Sequence, residues 1–293
     1  MARMPVAEVR VDEALVRHLL AEQHADLAAL PLQLVANGWD NVLWRLGADL
    51  AVRVPRRRQA AVLVEHEQRW LPELAPHLPV PVPAPVRTGR PAAVYPWHWS
   101  VVPWLAGTPA AHVPVVERGA AAEMLARFVI ELHRPAPRGA PLNPVRGVPL
   151  VTRDAAVRER LADGAVPDPG RVGALWKELV STPPWEGPPS WIHGDLHPAN
   201  LLLDDDGGLA AVIDFGDMAA GDPATDLATA WLTFEAAGRR RLVAALAGRY
   251  DDATWRRGRG WALCMATAMA AHSDDAPVLA AVGRESLRQV LEG

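Results

Sequence analysis

Cysteine is almost missing from this chain: Cys264 stands alone among 293 residues. A single thiol cannot close an internal disulfide, so no disulfide framework supports the fold, and a reducing, cytoplasmic setting is expected. Cys264 lies in an apolar run and reads as a small buried hydrophobe. Lysine is as scarce, since Lys177 is the only one and nearly all positive charge is arginine. Any chemistry that calls for a lysine must use Lys177 or do without one. A basic excess is also lacking: 30 Lys and Arg face 34 Asp and Glu, for a net charge of -4 and a pI near 6.2. That balance makes nucleic acid a poor partner. No apolar run reaches the roughly 20 residues of a membrane helix, and the longest lies around Trp261 to Ala271, so no membrane partner is expected. Glu8, Arg10, Asp12 and Glu13 interrupt the amino-terminal stretch, so no signal peptide is expected. Internal repeats and low-complexity segments are missing as well, as is a G-x-G-x-x-G phosphate loop.

What is present is ample material for a core. Hydrophobic residues make up 50% and charged residues 22%, with a mean hydropathy of +0.01, an ordinary globular balance. A prior of roughly 150 residues per domain divides this length into two domains or lobes. Asp12 can cap a helix running to about Leu30, with Leu15, Leu19, Leu20, Leu27 and Leu30 at helical spacing. Three alternating runs follow, Leu32 to Ala36, Val42 to Leu46 and Leu50 to Val54. The Asn37-Gly38-Trp39-Asp40-Asn41 and Gly47-Ala48-Asp49 turns between them predict an antiparallel meander. A helix from Gln59 to about Leu71, closed by Pro72 and Pro76, comes next, then strands at Ala84 to Thr88 and Trp99 to Trp104. Beyond Pro103-Trp104-Leu105-Ala106-Gly107 the pattern is helical: Val115 to His133, Arg153 to Leu161, Val172 to Val180, Pro223 to Glu235, Arg239 to Tyr250, Ala253 to Ala271 and Pro277 to Leu291.

Polar residues that invite chemistry gather between Trp191 and Asp217. Two apolar runs, Leu201 to Leu203 and Leu209 to Ile213, flank an Asp/Gly cluster and predict a hairpin. His193, Asp195, His197 and Asn200 precede it, while Asp214 and Asp217 follow it. Because antiparallel strands return to where they began, Asn200 and Asp214 should lie close together, with Asp195 a loop's breadth away. Two carboxylates and a carboxamide suit a hard cation such as Mg2+, completed by water and phosphate oxygens. One aspartate could instead accept a proton from a nucleophilic hydroxyl. Turn chemistry accounts for Asp204 to Asp206 but does not require His193, Asp195 and Asn200 in one loop. A zinc site on His193 and His197 is disfavoured, because Gly194 and Pro198 oppose a shared helix face and no cysteine is near. His193 is expected to hold the loop by hydrogen bonds.

His193-Gly194-Asp195-Leu196-His197-Pro198-Ala199-Asn200, followed by a hairpin and Ile213-Asp214-Phe215-Gly216-Asp217, resembles the catalytic loop and metal-binding motif of the aminoglycoside phosphotransferase family, relatives of protein kinases that include macrolide phosphotransferases. The resemblance implies an α+β, bilobal, protein-kinase-like fold. A small antiparallel-sheet N-lobe (1–104) would bind nucleotide, and a larger, mainly helical C-lobe (105–293) would carry catalysis and the acceptor. Asp195 would be the catalytic base, Asn200 and Asp214 would bind Mg2+, and ATP or GTP would donate the phosphate. Asp222 and Asp226, in G-D-P-A-T-D-L-A, would brace the loop and cap a helix. A kinase-like fold carries a lysine on its third strand, held by a helix glutamate, to grip the phosphates. Here Leu50-Ala51-Val52-Arg53-Val54-Pro55 occupies that strand, so Arg53 is expected to substitute, with Glu67 as its partner and Glu65 as the other register. The turn at Gly38 would cover phosphate in part. Backbone groups of the strap from Val101 to Leu105, Val102 and Trp104 among them, would meet the purine, with Pro103 removing one donor.

The acceptor would be a hydroxyl of a small molecule, aminoglycoside-like in the leading reading. Glu235, Asp251, Asp252, Asp274 and Asp275 are the candidate carboxylates for a polycation, though each could equally be a solvated helix end. Trp231, Phe234, Trp255, Trp261, Met265 and Met269 would suit a macrolide if they line a floor and are core if they do not. A metabolite kinase and a noncatalytic nucleotide-binding module remain the other readings.

Overall fold

The computed structural model describes residues 6–273 and 275–293. These fall into two compact units, one made of the residues up to Pro76 with Pro81–Leu105, the other of His77–Val80 and Ala106–Gly293. The fold is α+β: a small antiparallel sheet with helices in the first unit and a larger, mainly helical second unit.

In the first unit, β1 (Leu32–Asn37), β2 (Asn41–Leu46), β3 (Leu50–Pro55), β4 (Arg87–Gly89) and β5 (Trp99–Pro103) form one sheet in the order β1-β2-β3-β5-β4, every pair antiparallel. Helix α1 (Glu13–Gln23) is capped by the Asp12 side chain, which accepts from Leu15 N at 3.1 Å. It lays Val16, Leu19 and Leu20 onto Val42, Trp44, Val52, Val54 and Trp99. Helix α2 (Arg58–Leu74) buries Ala60, Val64, Glu67, Leu71 and Leu74, one stripe at helical spacing. Glu67 is the charged member of that stripe. Side chains alternate along a strand, so Arg53 points away from the face that Val52 and Val54 give to the α1 core.

In the second unit α9 (Asp252–His272) is the central helix, and its segment Gly260 to Thr267 is buried on every side. Around it pack α4 (Asp154–Ala162), α5 (Pro169–Val180), α6 (Ala224–Leu227), α7 (Thr229–Thr233) and α10 (Pro277–Glu292), while α3 (Ala122–Leu132) packs on α8 (Ala236–Ala245). Two small ladders carry the polar loop: β7 (Ser190–Ile192) pairs with β10 (Ala219–Gly221), and β8 (Leu201–Leu203) pairs with β9 (Leu209–Val212) and β6 (Thr108–Pro109). Among the described residues no helix is long and apolar enough to cross a membrane.

Several element boundaries differ from expectation. Helix α1 stops at Gln23 rather than near Leu30, and Leu27 and Leu30 reach the same core from hydrogen-bonded turns. Helix α2 runs through Pro72 instead of ending there, because Leu71 before the break in its ladder and Leu74 after it are both buried. Strand β4 begins at Arg87, since Pro83 and Pro85 have no N–H to pair. The helix expected from Val115 to His133 opens as a 3-10 segment over Val115–Ala121, where the Arg118 side chain donates back to the Val113 carbonyl. Pro223 to Glu235 divides into α6 and α7, and Glu235 caps α8 instead of closing a helix.

Candidate active site

The loop between β7 and β8 is held from three sides. Pairing of Ile192 with Ala219 brings His193 beside the Asp217 strand approach. Gly194 has φ +84°, and a Cβ there would lie 2.4 Å from the Asp217 carbonyl oxygen, so only glycine permits this approach. Beneath the loop lies Asp226, 0% exposed. Its Oδ2 accepts from His193 N at 2.7 Å and its Oδ1 from Gly194 N at 2.9 Å. His133 Nε2 meets the same Oδ2 at 3.1 Å, and His133 Nδ1 bonds Tyr250 Oη at 2.7 Å. Asp222 accepts from Arg257 Nε at 2.7 Å and from Ala224 N at 3.0 Å, so it joins α9 to the start of α6. Asp226 thus braces the loop, as expected, while the oxygen at the start of α6 is that of Asp222.

His193 is a hydrogen-bonding support. Its Nδ1 accepts from Asp195 N at 3.2 Å, which leaves Nε2–H to donate to the Ile213 carbonyl at 3.0 Å. That second bond ties the loop to the far end of the hairpin. Ile213 N in turn donates to the Asn200 carbonyl at 2.9 Å, so the hairpin brings Asn200 and Asp214 to its open end. Asn200, 7% exposed, donates through Nδ2 to the Asp195 carbonyl at 2.9 Å, which turns its Oδ1 away from that bond. Asp214 has φ +63°, a left-handed conformation uncommon for a residue other than glycine. Held strain of that kind costs about 1–3 kcal/mol and clusters at functional sites.

Asp195 faces an imidazole and a guanidinium. His197 Nε2 stands 3.1 Å from its Oδ2, and Arg146 Nη2 donates to its Oδ1 at 3.0 Å. Burial by itself would raise the Asp195 pKa, but His197 and then Arg146 outweigh it and hold the carboxyl well below the usual carboxylate range. His197 Nδ1 accepts from Ala199 N at 3.2 Å, leaving Nε2–H for Asp195. Burial pushes the Asp217 carboxyl up against the pull of Arg146. Burial opposes the Arg146 charge, yet Asp195 and Asp217 outweigh it and raise its pKa. Sequence reasoning missed Arg146, which lies 49 residues before Asp195 in a proline-rich connection without periodicity.

Within the first unit, Arg53 Nη1 donates to both carboxylate oxygens of Glu67, at 2.8 and 2.9 Å. The two side chains are 10% and 2% exposed. Glu65 takes the other register and meets His98 Nδ1 at 3.2 Å. The Gly38 N–H is spent on the Asn41 carbonyl at 2.9 Å, and Arg56 Nη1 donates to the Gly38 carbonyl at 3.0 Å. Gly38 therefore cannot offer its own amide to a phosphate without opening the turn. In the strap Val102 pairs with Ala51 in the sheet, while Trp104 N donates to the Asp49 carbonyl at 2.7 Å. The strap has thus lost two donors, Pro103 by its chemistry and Trp104 by that bond.

Most of the acceptor-floor candidates are committed elsewhere. Glu235 and Asp251 cap α8 and α9. Phe234, Trp261 and Met265 are core, and Trp231 stacks edge-on to Trp255 with ring centroids 6.3 Å apart. Asp252 and Asp275 are exposed, Met269 is half-buried, and Asp274 lies outside the described residues.

Among the described residues no three His, Cys, Asp or Glu side chains are grouped so as to hold a metal by themselves. An ion at Asn200 and Asp214 would need oxygens from a bound phosphate and water. That is the donor set expected for Mg2+ rather than for zinc.

Comparison with known proteins gives this geometry a setting. The family model described as the phosphotransferase enzyme family matches residues 31–261. An uncharacterized protein, YcbJ of Bacillus subtilis (strain 168), is 28% identical over 179 residues, which is 55% of this chain and 55% of that protein. The match therefore spans about half of that relative's length. Among solved structures, the GDP complex of wild-type aminoglycoside 2'-phosphotransferase-IIIa superposes with a TM-score of 0.71 at 19% identity, over 96% of this chain and 99% of that one. Apo macrolide 2'-phosphotransferase MphH from Brachybacterium faecium superposes with a TM-score of 0.61 at 22% identity, over 94% and 97%. At these identities the likeness is one of fold.

Proposed function

We infer, since this chain belongs to the phosphotransferase enzyme family, that it moves the γ-phosphate of ATP or GTP to a hydroxyl of a small, antibiotic-like molecule. The observation that carries this reading is the anchoring of Asp195: a carboxylate, 25% exposed, met by Arg146 and His197, with Asn200 bonded to its backbone. In the proposed mechanism Asp195 orients the acceptor hydroxyl and takes its proton. Asn200 and Asp214 would hold Mg2+, which when bound neutralises phosphate charge. Arg53, steered by Glu67, places the phosphates in lysine's stead, as a planar fork rather than a point charge. The donor assignment draws support from relatives solved with GDP and with ATP, and the acceptor class from relatives solved with kanamycin and gentamicin or named for macrolides.

The test is nucleotide consumption with Mg·ATP and Mg·GTP over a panel of aminoglycosides, macrolides and simple hydroxyl metabolites, with Asp195→Asn alongside. Turnover should fall about 10²–10⁴-fold or more in the variant, with Mg·nucleotide binding by calorimetry retained. Full activity in Asp195→Asn would remove the assignment.

A further inference from the structure

Arg146 lies outside the motif residues yet touches the residue on which the transfer reading depends. The segment that carries it is built with unusual care. Asn143 Oδ1 accepts from Val145 N at 2.9 Å and from Arg146 N at 3.1 Å, while its Nδ2 donates to Asp217 Oδ1 at 2.7 Å. Gly147 N donates to Thr225 Oγ1 at 3.1 Å, and the Gly147 carbonyl accepts from Asp222 N at 2.9 Å. Gly147 has φ +67°, and a Cβ there would come within 2.8 Å of Ile192 Cδ1 and 3.0 Å of Gly221 Cα. The backbone on both sides of Arg146 is thus pinned to the strands and helix that also set the catalytic loop.

The guanidinium so placed is used sparingly. Nη2 donates to Asp195 Oδ1 at 3.0 Å, while Nε stands 3.8 Å from Asp217 Oδ2. Nε is buried and makes no hydrogen bond among the described residues. An arginine that serves only to neutralise a carboxylate usually grips it through two parallel bonds. Buried donors left unmade in a native fold call for an explanation. Here the pinned segment holds a guanidinium, 21% exposed, on the edge of Asp195 through one N–H to that carboxylate.

We propose that Arg146 is a further catalytic residue, an arginine supplied by this chain's own loop that binds the oxygens of the phosphoryl group during transfer. The inference rests on the phosphotransfer reading. In that step a lone pair of the acceptor oxygen forms the new bond to the γ-phosphorus. The bond from phosphorus to the β,γ-bridging oxygen breaks, its electron pair leaves with the nucleoside diphosphate, and the hydroxyl proton passes to Asp195. Charge builds on the three equatorial oxygens, where little covalent help is possible and a fixed cation counts most. An acceptor oxygen bonded to Asp195 at about 2.7 Å and about 3 Å from phosphorus brings those oxygens within reach of a guanidinium already on the same carboxylate.

The experiment uses the full chain and reads nucleoside diphosphate release from Mg·ATP and Mg·GTP, with water, kanamycin and erythromycin as acceptor probes. Arg146→Ala should lower kcat by about 10²-fold or more with nucleotide KM within about threefold, and millimolar guanidinium chloride should restore part of the rate. Arg146→Lys, which keeps the charge for folding but loses the fork, should lower kcat at least about tenfold at unchanged KM, and it decides the matter if Arg146→Ala does not fold. A kcat equal to wild type in a folded Arg146 variant, with only the unfolding midpoint lowered, would make Arg146 a structural counter-ion and overturn the inference. Wild type that releases no diphosphate with any probe would instead sink the transfer reading, and this inference with it. Turnover that depends on Asp195 but not on Arg146 would sink this inference alone.

Discussion

Asp226→Asn is the sharpest perturbation of the Asp195 loop, because it changes one atom's hydrogen-bonding role and little of the shape. Three donors converge on the buried carboxylate: His193 N at 2.7 Å and His133 Nε2 at 3.1 Å on Oδ2, and Gly194 N at 2.9 Å on Oδ1. Asparagine offers one oxygen and one NH2. Its less costly orientation keeps oxygen at the Oδ2 position for two of the donors and sets Nδ2 against the Gly194 N–H. What is lost is one hydrogen bond to a charged acceptor, about 1.5–3 kcal/mol, and the same event leaves a buried donor unsatisfied, about 1–3 kcal/mol. Because the two descriptions overlap, the expected cost is about 2–4 kcal/mol rather than their sum. Guanidinium unfolding followed by tryptophan fluorescence reads this, since Trp176, Trp185, Trp191, Trp231, Trp255 and Trp261 lie in the second unit. Turnover should fall as well, since a shift of about 1 Å in a reacting group can cost about 10²-fold. Tyr250→Phe is the graded control: it removes one neutral bond to His133 and should cost about 1 kcal/mol. An Asp226→Asn protein within about 0.5 kcal/mol of wild type and fully active would refute the reasoning, because the loop would then be held by something other than this convergence.

Glu67→Ala removes both oxygens to which Arg53 Nη1 donates in a nearly closed site, and should destabilise the first unit by about 3–5 kcal/mol, measured by denaturant unfolding, with weaker nucleotide binding by calorimetry. Gly194→Ala forces a side chain into a left-handed position 2.4 Å from a carbonyl oxygen; it should abolish turnover in the nucleotide-consumption assay and lower the unfolding midpoint of the second unit, whereas a fully active variant would show that the loop can relax around a Cβ. For pH, the folded Asp195 carboxyl is depressed below its unfolded value near about 3.9, so its contribution to stability is complete above that value and is lost as pH falls toward the folded pKa. Unfolding midpoints taken between pH 6 and pH 3 should therefore fall less steeply for Asp195→Asn than for wild type, and parallel curves would count against the charge pairing around Asp195.

The parts of the site legible in the sequence are those whose neighbours in space are neighbours along the chain. Asn200 and Asp214 could be placed together because an Asp/Gly turn closes a short hairpin, and Leu201 does pair with Val212. The partner of Arg53 could be named because the resemblance to a kinase-like fold calls for a helix glutamate, and in the structure Glu67 does lie on the buried stripe of Val64, Leu71 and Leu74 and meets Arg53. Element ends were less legible, since apolar spacing reports burial and not conformation: Leu27 and Leu30 keep their place in the core from turns beyond the end of α1. The acceptor side was hardest, for two physical reasons. Glu235 and Asp251 satisfy the signature of a helix cap and of an acidic floor equally well, and in the fold they spend their oxygens on caps. Arg146 has no pattern at all, because its position is set by Asn143, Thr225, Asp222 and Asp217, contacts that exist only once β7, β10 and α6 have come together. The consequence is that donor chemistry in this fold is written in short motifs, whereas what surrounds the acceptor hydroxyl is assembled by tertiary structure. Substitutions in the 143–147 segment should accordingly change kcat, read as nucleoside diphosphate release, because they alter the surroundings of Asp195 without touching a residue of the motif.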